Sequence, residues 1–489
     1  MRFLPVLALS ALVLLSVALP ASAQHITPPD CTVDVAVSAG PKLDVTYRCH
    51  SMGPPIAFVA DDATVAAHVQ DLRDGTGARI AVSSDGWVVQ PVNGVAEIHY
   101  RYDLADYART VNINSSAVLK GQGALVSLSG WLLAPDGYDN FPVIDIRART
   151  ADGLSFATGL PIVDGAWRLA GAAVGYAGYT AIGKFSLQEL TVPAPDSLRP
   201  GEPKKDVVLH LAILDGISDS GRAGITDWVR RTAEAEANYW HGFTAPHLLL
   251  GLVPTATRRG VGFGQTDASG GATVMVEVDT NVDERRLFDD WVLVHELIHT
   301  AMPFVRGRAT WLMEGAATYV EPIVRARAGW KTEEDVWKEW MDNMPQGMGA
   351  YAKGLSNASG RENYWSGALF MLMADLGIRR DTNGEKGLED CLGGTMWSGY
   401  ESSRNVRLQD YVAACDRVTG TKVVSGLLDK YYATGQPFDL AGFWRDLGVS
   451  EVGGRIVLDD TAPMAKWRKM IVMGPPGHPP KAVKLPWES

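Results

Sequence analysis

With 489 residues, 46% of them hydrophobic and 21% charged, the chain is too long for one compact core and too apolar to be disordered, so two or three globular domains are expected. The composition excludes a collagen-like or multi-spanning membrane protein. A formal net charge of −11 argues against nucleic acid or an anionic membrane surface as a partner, and says little about a substrate.

The chain opens with Met1-Arg2, a nearly unbroken apolar run over 3–19 and the small-x-small triplet Ala21-Ser22-Ala23. This pattern predicts a secretory signal peptide over 1–23, cleaved before Gln24. No later stretch is long and apolar enough to span a bilayer. The mature chain is therefore expected to be exported, periplasmic or secreted, with no membrane insertion after signal cleavage. The four cysteines lie in two local pairs, and an oxidising compartment predicts disulfides Cys31–Cys49 and Cys391–Cys415. The other connectivities would tie opposite ends of the chain together, and four free buried thiols are the remaining alternative.

Residues 24–200 read as a β domain. Strand-like runs at 32–37, 43–49, 81–89, 95–102 and 124–133 are broken by Gly, Pro, Asp and Asn clusters, and long helical periodicity is nearly absent. The Pro- and charge-rich stretch 191–206 reads as a linker. Over 205–380 strands at 207–214, 247–254 and 270–279 come first. Thr226 is expected to cap a helix running to Trp240, and helices follow at 284–302, 308–328, 332–342 and 362–380. Strands first and helices after is an α+β pattern. The region 381–489 is mostly helical.

The chemistry concentrates in "VHELIHTAMPFVRGRATWLMEGAATYVE". His295 and His299 are one helical turn apart on one face, where both imidazoles reach one cation. Glu296, between them, does not bind the metal in such a site; it takes a proton from water and later delivers one to the leaving amine. Val292, Leu293, Val294, Leu297 and Ile298 predict a buried helix and a partly dry site. A catalytic zinc site needs a third protein ligand and an open position. Glu314, fifteen residues after His299, lies in the first turns of the next helix, for which Thr310 is the expected N-cap. A short turn and a returning helix would set Glu314 against the histidines. Thr318 and Glu321 share its face; Thr318 is placed to orient a ligand histidine, and both are equally well ordinary helix residues. His210, His241 and His247 read as structural.

"HELIH…WLMEGAATYVE" resembles the gluzincins, whose zinc ligands are two His and one Glu, the Glu in a "W-L-x-E-G-x-x-x-Y" helix. The interval before the Glu is shorter than in alanyl aminopeptidase-type enzymes, and the chain looks more like the glycyl aminopeptidase family. Stretches 96–107, 129–137, 363–390 and 446–470 are also similar to that family. The resemblance implies a multidomain α+β chain: an N-terminal β-sandwich-like domain, a thermolysin-like zincin catalytic domain and a mostly helical C-terminal region. It implies Zn2+ as cofactor, a peptide or protein as substrate, and, by the match to "Y-x-K-G-A", Tyr364 as the hydrogen-bond donor to the oxyanion. Two features depart from the pattern. Ser366 stands where the family has Lys. The expected edge strand, 269–279, keeps a Gly pair but lacks the acidic residue that grips a free substrate amine, and Glu277 is out of position. The expected function is an exported zinc-dependent peptidase, with amino- and endopeptidase action both open. The rival is a catalytically silent zinc-binding envelope or binding protein of the same fold.

Overall fold

The structure is a computed structural model that describes residues 30–488 except 52, 85, 112–115, 139–140, 193–205, 257–259, 400–401 and 475–479. The expected signal peptide and most of the expected linker lie outside the described residues.

Period-two burial builds the first sheet. Every second residue of Cys31–Ser38, Lys42–His50 and Val95–Asp103 is buried, so each strand turns one face to the core. These strands sit in a seven-stranded sheet in which Cys31–Ser38 runs parallel to Val143–Thr150 and antiparallel to Lys42–His50. Cys31 and Cys49 are directly opposed in that antiparallel pair and form the first disulfide. The expected strand at 81–89 is confined to Trp87–Val89, and that at 124–133 ends at Ser127, where a 3-10 turn begins.

A four-stranded sheet of Ser155–Thr158, Tyr179–Gly183, Gly123–Ser127 and Ala117–Lys120 forms a middle layer. Val126, Phe156 and Ile182 pack into the core of the seven-stranded sheet, while Leu125, Ala157 and Ala181 face Leu249, Val253 and Met275 of a third sheet. Both faces are covered, which is why Tyr179–Gly183 is buried without alternation.

The third sheet has five strands in the order Ser186–Val192, Val207–Ile213, His247–Thr255, Ala272–Asp279, Val261–Asp267. Ser186–Val192 precedes the expected boundary at 200 and nevertheless pairs with Val207–Ile213. The expected edge strand at 269–279 is a correction: Ala272–Asp279 has a partner on each side. The edge is Val261–Asp267, whose sequence VGFGQTD has two glycines and three polar residues and so carries little strand signal. Helix Asp219–Trp240 crosses between the two parallel strands Val207–Ile213 and His247–Thr255. Its cap is Ser218, which accepts the Gly221 N–H. Thr226, the expected cap, lies inside the helix and donates back to the Arg222 carbonyl at 2.7 Å.

The expected helix 284–302 is two helices, Glu284–Asp289 and Val292–His299, because Asp290 is extended and its carboxylate accepts the Val292 N–H at 2.8 Å. Helices Thr310–Arg327 and Arg361–Asp381 cross with their backbones in contact. A Cβ on Gly315 would lie 2.2 Å from the Gly367 Cα, and one on Gly367 would lie 1.8 Å from the Trp311 carbonyl oxygen. Their hydrophobic core continues into helices Leu388–Trp397 and Leu408–Thr419, joined by the Cys391–Cys415 disulfide. Among the described residues no helix is long and apolar enough to cross a membrane.

Replacing Gly367 by Ala is expected to destabilise the fold by about 1–3 kcal/mol, because a rigid backbone occupies the space its methyl needs. Gly426→Ala, at an exposed position of helix Val423–Tyr431 where a Cβ would meet nothing within 4 Å, is expected to leave stability unchanged or raise it. Thermal unfolding of the two variants checks this.

Candidate metal centre

The apolar residues of Val292–His299 are buried against two cores, leaving His295 and His299 on the one face that opens to a cleft. The Nε2 atoms of His295 and His299 are 3.3 Å apart. Glu314, in the second turn of Thr310–Arg327, places Oε2 at 3.3 Å from His295 Nε2 and 3.6 Å from His299 Nε2. Thr310, the expected N-cap, is the first residue of that helix, and Ala309 before it offers no side-chain cap. Two imidazole nitrogens and a carboxylate oxygen converging on one point need a shared cation or proton between their lone pairs. Bonds of about 2.0–2.2 Å to a tetrahedral zinc set its ligands roughly 3.3–3.6 Å apart, which is the size of this triangle. Among the described residues it is the cluster of His, Cys, Asp and Glu side chains close enough to hold a metal.

The electrostatics fit the same picture. Burial raises the Glu314 carboxyl, but the two imidazoles outweigh it and hold the group well below the usual carboxylate range. Burial lowers His299, and Glu314 followed by Glu296 reverses this, so its imidazole titrates above the ordinary value.

Glu296 lies beside the triangle, held by a residue that sequence reasoning missed. The Thr266 hydroxyl sits 2.8 Å from Glu296 Oε2, to which it donates, and 2.7 Å from the Glu296 carbonyl oxygen. The edge strand presses on this helix: a Cβ on Gly264 would lie 2.5 Å from Val292 Cγ1 and 2.6 Å from Glu296 Cγ. The only trace in the sequence was the glycine spacing of VGFGQT.

Tyr364, in the first turn of Arg361–Asp381, stacks its ring on His295 with centroids 6.0 Å apart. Burial, then Glu314 and Glu296, push its hydroxyl up to about 12, so it keeps its proton across physiological pH. Ser366 is fully buried; its hydroxyl donates to the Glu362 carbonyl, and Gly347 abuts its backbone nitrogen.

Thr318 is a correction. Its hydroxyl donates to the Glu314 carbonyl at 2.7 Å, the habit of a helical Thr four residues on, and so does not orient a ligand histidine. Among the described residues the buried His295 Nδ1 has no hydrogen-bond partner. Glu321 pairs with Arg325 at 3.0 Å and stays in the core. His210 and His247 pack ring to ring at 4.7 Å, outside the cleft.

The cleft encloses about 1010 Å³ between the helices, the edge strand and the tyrosines Tyr138 and Tyr176 of the β region. Asp267, at the end of the edge strand, also lines it. Its carboxylate accepts the Ser269 N–H at 3.2 Å and has no ion pair among the described residues; burial pushes it up to about 6.

No protein-family model matches this sequence, and no curated protein matches it. The fold is similar to that of an aminopeptidase N family protein from Idiomarina loihiensis, with a TM-score of 0.60 and 14% identity over 86% of this chain and 78% of the other. It is also similar to a two-domain M1 zinc metallopeptidase, a point variant bound to L-arginine, with a TM-score of 0.51 and 13% identity over 83% of this chain and 94% of the other. At these identities the likeness is one of fold.

Purified protein is expected to bind one zinc ion per chain. His299→Ala or Glu314→Ala should weaken binding by on the order of a hundredfold or more, since even residues that merely support ligands are worth 10–100-fold. They should also abolish the rise in thermal midpoint that added zinc causes. Metal analysis and calorimetry test both.

Proposed function

We propose that this chain is an exported zinc-dependent peptidase. The observation that carries the reading is the 3.3–3.6 Å triangle of His295, His299 and Glu314 with the Glu296 carboxylate held beside it by Thr266. The solved proteins of similar fold include a zinc metallopeptidase, which supports a peptide as substrate. Zinc bound there would supply Lewis acidity to a carbonyl and a water.

His295, His299 and Glu314 would hold the metal. Glu296 takes the proton from the attacking water and passes it to the leaving amine. Thr266 keeps that carboxylate aimed at the cleft, and Tyr364 donates a hydrogen bond to the oxyanion as charge develops there. Among the described residues the edge strand Val261–Asp267 has one unpaired side, on which an extended peptide can add as a further strand. A silent zinc module needs no base, and the constrained Glu296 weighs against it. Export rests on the pattern of residues 1–23 and on the two disulfides. Within the gluzincins, the fourteen residues between His299 and Glu314 favour the glycyl aminopeptidase branch, although the fold is shared with an aminopeptidase N protein.

Amine recognition has a candidate that the sequence reading lacked. Asp267 is the carboxylate of the cleft that is committed neither to the metal nor to proton transfer, and it is placed to receive a free substrate amine. Its carboxyl, near 6, is charged above that pH and neutral below it. The preference for free over blocked N-termini should therefore fall as pH drops from 7 to 5, and Asp267→Asn should remove it at every pH. Ratios of kcat/KM for matched peptides measure this.

For the chemistry itself, Glu296→Gln should lower kcat by about 10²–10⁴-fold with zinc retained. Tyr364→Phe should lower it by about 10²–10³-fold with little change in KM. The reading fails if zinc-loaded protein cleaves nothing in a broad peptide library and Glu296→Gln behaves identically.

A further inference from the structure

We infer that the cleft selects peptides with bulky apolar, above all aromatic, side chains beside the scissile bond, and that Tyr176, Phe263, Trp291 and Phe304 make this selection. The inference rests on the peptidase reading and names its substrate class.

The four rings are 59%, 45%, 47% and 52% exposed, and all four line the cleft. Among the described residues Trp487 is the other aromatic side chain on the exposed surface, and its ring is already engaged by the Arg285 guanidinium at 4.8 Å and by Phe288 at 5.7 Å. The other Phe, Tyr and Trp rings among the described residues are buried or half-buried. Tyr176 comes from the β region, Phe263 from the edge strand, Trp291 from the residue before the histidine helix, and Phe304 from the short strand after it. Four separate segments thus bring wetted rings to one opening. Scattered exposed apolar residues need no explanation, but several exposed rings lining one cleft around a polar centre mark a binding site.

The chemistry of the lining narrows the occupant. Aromatic rings pack on other rings at centroid distances of about 4.5–7 Å in offset or edge-on geometry. Among the described residues the cleft is lined by one basic side chain, Arg306, and by the carboxylates of Asp267 and Glu296 besides the metal-site Glu314. Apolar side chains of a substrate meet surface that gains by being covered.

A peptide series identical except for Ala, Leu or Phe at the two positions flanking the scissile bond tests the inference. The zinc-loaded protein should cleave the Phe peptide with a kcat/KM on the order of tenfold or more above the Ala peptide. Phe263→Ala combined with Phe304→Ala should bring that ratio below about two, with zinc content checked in parallel. Trp291 is left in place because its ring packs on His295 at 5.0 Å. If the double variant does not fold, Tyr176→Ala alone, in the β region, should lower the ratio two- to threefold. Equal cleavage of Ala and Phe peptides by the unaltered protein, or an unchanged ratio in the folded variants, overturns the inference. If the unaltered protein cleaves no peptide, the peptidase reading has failed, and calorimetric binding of the same series decides the surface separately. Fivefold or tighter binding of the Phe peptide upholds it, and equal binding overturns it.

Discussion

The metal centre depends on a contact between two glycines. Gly315 and Gly367 let helices Thr310–Arg327 and Arg361–Asp381 touch backbone to backbone. Glu314 is the residue before one of them, and Tyr364 lies less than one turn before the other. Any side chain at either glycine would separate the helices and carry both groups away from His295. A similar constraint acts on the opposite wall, where Gly264 lets the edge strand lie against Glu296. Atoms that cannot move apart thereby hold the acidic and phenolic groups where the metal ligands converge.

The layered arrangement explains why the cleft lies where it does. The four-stranded sheet is buried on both faces, between the β region's main sheet and the five-stranded sheet. That leaves the Val261–Asp267 edge as the margin of the five-stranded sheet nearest the histidine helix. Tyr138 and Tyr176 of the β region reach the same opening. The β region is thus a wall of the candidate site as well as a separate layer of the fold.

Burial and charge are balanced differently inside and outside the centre. In the core, Arg379 is fully buried and meets both Asp375 and Glu389, at 2.8 and 2.6 Å. Glu321 likewise meets Arg325. These acids have guanidinium partners, as desolvated charges require. Among the described residues Glu314 and Glu296 have none. Glu314 has two imidazoles and Glu296 a threonine hydroxyl, so the negative charge of the cleft is left for a cation to complete.

Much of this was legible in local sequence. Period-two apolar runs marked the β region. The i, i+4 histidines with apolar flanks marked the ligand helix, and the spacing of four cysteines marked two disulfides that the structure contains. The break at Asp290, the cap at Ser218 and the back-bonded Thr318 were not legible, because a short polar side chain has several local partners and the surrounding chain selects among them. The edge strand was missed for a related reason: glycines that permit close approach also erase strand pattern. By itself the sequence determined the residue types able to hold zinc and move a proton, since side-chain chemistry and helical spacing are local properties. Only the tertiary structure decided that Val261–Asp267 and not 269–279 is the free edge, that Thr266 holds Glu296, and that four aromatic rings from distant segments share one opening. Those relations join positions far apart in the chain, and packing alone sets them.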